Sequence, residues 1–138
     1  MRYLGLDLGS RTLGVSTSDA TGLIASSYKI IRHNEEYNKL IDEVKKIVDE
    51  KSIDKIVLGF PKNMDNTIGY KGELSLKFKE MLEKELNIEV ILQDERLTTV
   101  EANNILLQND TSRKKRKKVI DSLAATIILQ SYLDKKGR

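Results

Sequence analysis

The stretch Leu4-Gly5-Leu6-Asp7-Leu8-Gly9 constrains the fold more than any other part of the chain. Its apolar residues fall at every second position, the period of a strand with one apolar face, so Asp7 projects from the opposite face near the strand's end. Glycines on either side keep bulk away from the carboxylate, and Gly9 permits a tight turn and close approach of a ligand. An acid placed in this way either holds a cation or simply closes a strand in a turn. Beyond the turn, Gly14 to Ser18 forms a second short strand, Asp19-Ala20-Thr21-Gly22 reverses the chain, and Leu23 to Ile31 is extended again. The fold therefore opens as an antiparallel three-strand meander.

Strands and helices alternate after that. Tyr37, Leu40, Ile41, Val44, Ile47 and Val48 recur at helical spacing and predict a helix from about Glu35 to Lys51, with acids in its first turn. Ile56 to Phe60 is a continuous apolar run, as in a strand covered on both faces, and Pro61 ends it. A loop of turn formers, Lys62 to Gly69, leads to a helix over Tyr70 to Leu86, with Leu74, Phe78, Met81 and Leu82 on one side. Ile88 to Leu92 is the next strand. Thr98 and Glu101 form a capping box that starts a helix from Thr99 to about Gln108. The last helix, about Lys118 to Leu133, carries Ile120, Leu123, Ala124, Ile127 and Ser131 on one stripe. This order implies an α/β fold, a mixed central sheet of a meander plus parallel strands flanked by helices, and 138 residues suit a single domain, 1–138.

Composition narrows the chemistry. With no cysteine and one histidine, disulfides, iron–sulfur clusters and Cys/His zinc sites are excluded, so any metal is held by oxygen. No apolar run approaches the roughly 20 residues of a membrane span, and the amino terminus lacks the pattern of a signal peptide. The expectation is a cytoplasmic protein with no membrane partner. Net charge is +3, yet six of the 24 lysines and arginines form one block, Arg113-Lys114-Lys115-Arg116-Lys117-Lys118, leaving 18 against 21 acids. That block is either a solvated, mobile loop or a contact for nucleic acid.

Three acids stand apart by position. Asp7 ends the first strand, Glu95 follows the strand Ile88 to Leu92, and Asp121 lies in an otherwise apolar helix, where an unpaired charge is costly to bury. Ala124 and Ala125 are its i+3 and i+4 neighbours, small enough for the helix to approach the sheet and for Asp121 to face Asp7. Carboxylates gathered together need a cation, and hard oxygens select Mg²⁺ or Mn²⁺. Two such ions about 3.5–4 Å apart can activate water and stabilise the leaving oxygen of a phosphodiester. Taken singly, Glu95 could instead pair with Arg96 or Arg11, and Asp121 with a lysine. Arg11 and Arg96 are read equally as phosphate ligands or as groups that orient Glu95. Thr98 is a helix cap, Asn63 and Asp65 make Asx turns or touch substrate, and His33 is an ordinary surface residue. Aromatics are 5% of the chain, so base stacking falls to Tyr70 at most, and phosphate contacts of the basic block predict binding that weakens steeply with salt.

The succession D-L-G-S-R-T-L-G-V at Asp7 to Val15, G-F-P-K-N-M-D at Gly59 to Asp65, D-E-R-L-T-T-V-E-A at Asp94 to Ala102, and I-D-S-L-A-A-T-I-I-L-Q-S-Y-L-D at Ile120 to Asp134 resembles the YqgF family. These are bacterial proteins assigned as Holliday junction resolvases or pre-16S rRNA nucleases. The resemblance runs from Met1 to Asp134. It implies a ribonuclease H-like fold, with Asp7, Glu95 and Asp121 matching the family's acidic triad. Two places depart from the family's pattern: Thr12 stands where an arginine is usual, with Arg11 one position earlier, and Asn66 replaces a glycine. Three functions are expected alternatives. One is a metal-dependent nuclease maturing the 5′ end of pre-16S rRNA, on free precursor or pre-ribosomal particles. The second is a resolvase of four-way DNA, which needs a homodimer for symmetric cuts where RNA trimming allows a monomer. The third is a nucleic-acid-binding or ribosome-assembly factor without catalysis. D-L-G-S followed by Gly14 also resembles the phosphate loop of actin-like ATPases, but those need two such domains. Gly9 and Gly14 have P-loop spacing without the lysine that a P-loop requires.

Overall fold

The alternation of the first strand sets the centre of the sheet. A computed structural model of the chain describes residues 1–61, 69–94 and 113–136, the side chains of 113–122 excepted. Its elements are β1 (Tyr3–Leu8), β2 (Thr12–Ser18), β3 (Ala25–Arg32), α1 (Tyr37–Lys51), β4 (Lys55–Phe60), α2 (Tyr70–Leu86), β5 (Val90–Asp94) and α3 (Arg113–Lys136). The strands form one five-stranded sheet in the order β3-β2-β1-β4-β5. β1, β2 and β3 pair antiparallel as the meander, whereas β1–β4 and β4–β5 are parallel. Leu6 is level with Leu58, and Leu58 with Leu92, so the three parallel strands end together at the edge beyond Asp7.

The two faces are covered differently. Leu4, Leu6, Leu8, Leu13, Val15, Ile56 and Leu58 turn to one side and pack with Leu40, Ile41, Val44 and Ile47 of α1 and Phe78 and Leu82 of α2. Burying each such side chain contributes about 1.5–3 kcal/mol, so this layer supplies most of the hydrophobic stabilisation. The other side carries Tyr3 and Val57, which meet Ile128, Leu129 and Leu133 of α3.

Several boundaries differ from the expectation. α1 begins at Tyr37, because Glu35 takes a left-handed conformation (φ 64°) and Glu36 is the N-cap, leaving the acids ahead of the first turn. β2 begins at Thr12, whose carbonyl accepts from Gly9 N–H at 2.7 Å and closes the turn. β3 begins at Ala25, with Leu23 and Ile24 exposed before it. α2 stops at the left-handed Asn87, and parallel pairing with β4 runs from Val90 to Asp94, which moves β5 two residues later than expected. α3 starts at Arg113, so the basic block is helical and not a loop, consistent with the good helix propensity of Lys and Arg. Its buried stripe is Ala124, Ala125, Ile128, Leu129 and Leu133, and Ser131 is exposed. Ala125 fits that orientation, since its carbonyl lies against Gly5 of β1 and accepts from Ser16 Oγ of β2. The loop over 62–68 with Asn63 and Asp65, and the expected helix Thr99 to Gln108 with its cap Thr98, lie outside the described residues.

Candidate nucleic-acid-processing site

Asp7 is half-buried on β1, opposite Gly14 of β2. Its neighbours Leu6 and Leu8 point into the α1–α2 layer, so alternation turns Asp7 to the side covered by α3. Close approach there is built into the residues. A Cβ on Gly5 would stand 2.2 Å from Ser16 Oγ, 2.7 Å from Leu129 Cβ and 3.0 Å from the Ala125 carbonyl. Ser16 Oγ, fully buried, donates to the Ala125 carbonyl at 2.8 Å and pins α3 to β2.

The direction of α3 follows from its contacts. Tyr132 packs on the Tyr3 ring at 5.7 Å and Lys136 Nζ lies 5.1 Å from that ring, whereas Ala125 sits over Gly5 and Ser16. The helix therefore runs antiparallel to β1. Asp121 lies one turn before Ala125 in sequence, about 5–6 Å along the axis, on the part of α3 directed toward the Asp7 end of β1. Glu95 and Arg96 lie outside the described residues, and Glu95 follows Asp94, the last residue of β5. Among the described residues no three acids or histidines form a metal cluster, so the structure details one of the three expected acids and only the backbone position of a second.

The turn after Asp7 is held from several directions. Arg11 is exposed at its tip. Gly9 N–H donates to the Thr12 carbonyl at 2.7 Å, and His33 N–H donates to the Arg11 carbonyl at 2.9 Å. His33 Nε2 lies 3.0 Å from the Gly9 carbonyl, and Glu35 N–H donates to His33 Nδ1 at 3.1 Å. His33 is thus not a surface residue. It is 9% exposed and packs on Tyr37, ring centroids 5.7 Å apart. Sequence reasoning missed His33 and Ser16 because their partners, Gly9 and Ala125, are distant in the chain and neither residue falls in a periodic pattern. A groove of about 430 Å³ between β3 and α1 is lined by charges of both signs, Arg32, Lys39 and Lys46 with Glu36, Asp42 and Glu43. Lys39 there pairs with Glu36 at 2.7 Å, which raises the lysine's pKa, so the groove presents no convergent charge.

Comparison with known proteins agrees with this architecture. The family model described as RuvX, Holliday junction resolvase, matches residues 1–135. A protein of Oenococcus oeni provisionally named a pre-16S rRNA nuclease is 53% identical over 140 residues, covering 100% of this chain and 97% of the relative. A Bacillus subtilis protein with the same provisional name is 51% identical over 135 residues, covering 97% and 98%. Among solved structures, T. thermophilus RuvC in complex with a Holliday junction substrate superposes with a TM-score of 0.62 at 12% identity, covering 99% of this chain and 96% of that one. At that identity the likeness is one of fold, and RuvC carries the ribonuclease H-like fold. Thermus thermophilus ROK hexokinase superposes with a TM-score of 0.51 at 21% identity and is matched over 38% of its length, again a likeness of fold. The mixed five-stranded sheet, the first motif on its central strand and the match over nearly the whole chain place this protein in the RuvX family, the family that the YqgF resemblance indicated.

Proposed function

We propose that the protein is a divalent-metal-dependent nuclease that hydrolyses phosphodiester bonds in pre-16S rRNA, working in the cytoplasm as a single domain on free precursor or pre-ribosomal particles. The observation that carries this reading is Asp7. It is a carboxylate at the end of the central strand, on the face where glycine, serine and alanine bring α3 against the sheet. Asp7, Glu95 and Asp121 are the residues proposed to hold the ion. The donor set fits a hard cation, since the chain has no cysteine and the ring nitrogens of its one histidine are taken by Gly9 and Glu35. When bound, Mg²⁺ or Mn²⁺ would neutralise the charge that develops at the phosphate and its attacking and leaving oxygens.

The remaining roles belong to cationic side chains. Arg11, on the turn two residues beyond Gly9, is proposed with Arg96 to fork onto non-bridging phosphate oxygens. Arg113, Lys114, Lys115, Arg116, Lys117 and Lys118 open α3 with no acid in its first turn, so their charge adds to the positive end of the helix dipole. Such an end favours a polyanion, and binding through it is expected to weaken steeply as salt rises. A second reading, cleavage of four-way DNA, is favoured by the RuvX match. Symmetric junction cuts call for a two-fold dimer. The discriminating experiment offers pre-16S transcript and a four-way junction to the purified protein with Mn²⁺. Selective cutting of the RNA is expected. Paired cuts in the junction alone would transfer the assignment to the resolvase, and a protein that binds both without cutting would mark a binding factor.

A further inference from the structure

We propose that His33 is a positioning residue of this site, fixing, as the neutral tautomer with its proton on Nε2, the turn that carries Arg11. This rests on the nuclease reading above and adds a residue to it. A backbone N–H can only donate, so the 3.1 Å contact from Glu35 N–H makes His33 Nδ1 an acceptor. The proton then sits on Nε2, which donates to the Gly9 carbonyl at 3.0 Å. The backbone of the same residue donates to the Arg11 carbonyl at 2.9 Å. One residue thus ties two carbonyls of the turn, on either side of Ser10.

The other end of the connection is equally fixed. Tyr37 packs on the imidazole at 5.7 Å and meets Phe78 of α2 edge-on at 6.2 Å, which joins the ring to the α1–α2 core. Glu35, whose N–H the ring receives, holds a left-handed backbone (φ 64°) that a non-glycine residue adopts only when its surroundings enforce it. A rigid hydrophobic layer on one side of the sheet is therefore linked through His33 to the exposed turn next to Asp7. Loss of the ring's bonds removes the side-chain tie at the Gly9 carbonyl and leaves the turn, and Arg11 with it, held by the Gly9–Thr12 and His33–Arg11 backbone bonds, without removing a core side chain. A packing histidine would need neither ring nitrogen bonded to the turn and to the helix entry at once.

The test uses the fact that the chain has a single histidine. In the imidazole ¹⁵N spectrum of the full chain at pH 7.5, a protonated Nε2 and an unprotonated, accepting Nδ1 are expected. The opposite tautomer, or an imidazolium, would overturn the proposal without any variant. His33→Phe keeps the ring against Tyr37 and loses both ring bonds, and His33→Gln keeps an amide that can donate to Gly9. On the substrate that the wild type cuts, kcat/KM of His33→Phe should fall about 10–100-fold, with most of the loss recovered in His33→Gln. An active wild type matched by His33→Phe overturns the role of His33 alone. Equal deficits in both variants that track their loss of Tm reduce the residue to packing and also overturn it. A wild type that cuts neither substrate overturns the nuclease reading, and the role of His33 falls with it.

Discussion

The two faces of the sheet are built from different materials. Toward α1 and α2 it presents leucine, isoleucine and valine, whose large side chains fill a thick apolar layer. Toward α3 it presents Gly5, Gly14 and Ser16 beside Asp7, and the helix answers with Ala124 and Ala125. Volume on the first face removes apolar area from water. On the second face Tyr3 and Val57 also bury area against α3, but the lack of volume at Gly5, Gly14 and Ser16 lets backbones approach there and brings the helix bearing Asp121 over the strand bearing Asp7. The first face stabilises the fold and the second sets the spacing on which the proposed chemistry depends.

That contrast is open to direct test. Leu58→Ala, on the thick face, should destabilise by about 2–5 kcal/mol through lost burial and a residual cavity. Chemical denaturation measures it, and the activity of the fraction still folded should stay near that of the wild type. Gly5→Ala, on the close face, should cost about 1–3 kcal/mol, because its Cβ would meet Ser16, Leu129 and Ala125. Yet its cleavage rate should fall more than that of Leu58→Ala, by up to about 10²-fold if α3 shifts by about 1 Å. A Gly5→Ala protein with full activity would break the distinction between the faces. The smallest effect lies at the far end of the meander, where Asp19 accepts from the Thr21 hydroxyl and from Ile24 and Leu23 N–H at 3.1 and 2.9 Å. These bonds, the Thr21 hydroxyl foremost, lower its pKa from 3.8 to about 2. Because the folded value is depressed, the contribution is present above about pH 4 and is lost as pH falls through about 2. The urea midpoints of wild type and Asp19→Asn, measured across that interval, should converge as acid is added.

Much of the fold was legible because periodicity is local. The alternation around Leu6 and the helical spacing from Leu40 to Ile47 each report a buried face without knowledge of what covers it. The helix ends were less legible: the left-handed Glu35 and Asn87 depend on contacts that no short window contains. The stripe on α3 was displaced to Ala125, Ile128, Leu129 and Leu133, because apolar residues lie on more than one side of this helix, and which side is buried is set by the fit of Ala125 against Gly5 and Ser16, residues distant in the chain. At the site, Asp7 was visible as a charge interrupting an apolar alternation. His33 was not, since a histidine in a polar segment carries no mark of the carbonyl it will meet at Gly9.

Cleavage of pre-16S rRNA with Mn²⁺ by the wild type and by Asp7→Asn, each checked for its melting temperature, tests the central claim most directly. Loss of one carboxylate from the proposed metal site should lower the rate by about 10³-fold, equivalent to several kcal/mol of charge stabilisation, while the melting temperature holds or rises. Cleavage by Asp7→Asn at the wild-type rate would contradict the account, because the close face of the sheet would then have no catalytic carboxylate at its centre.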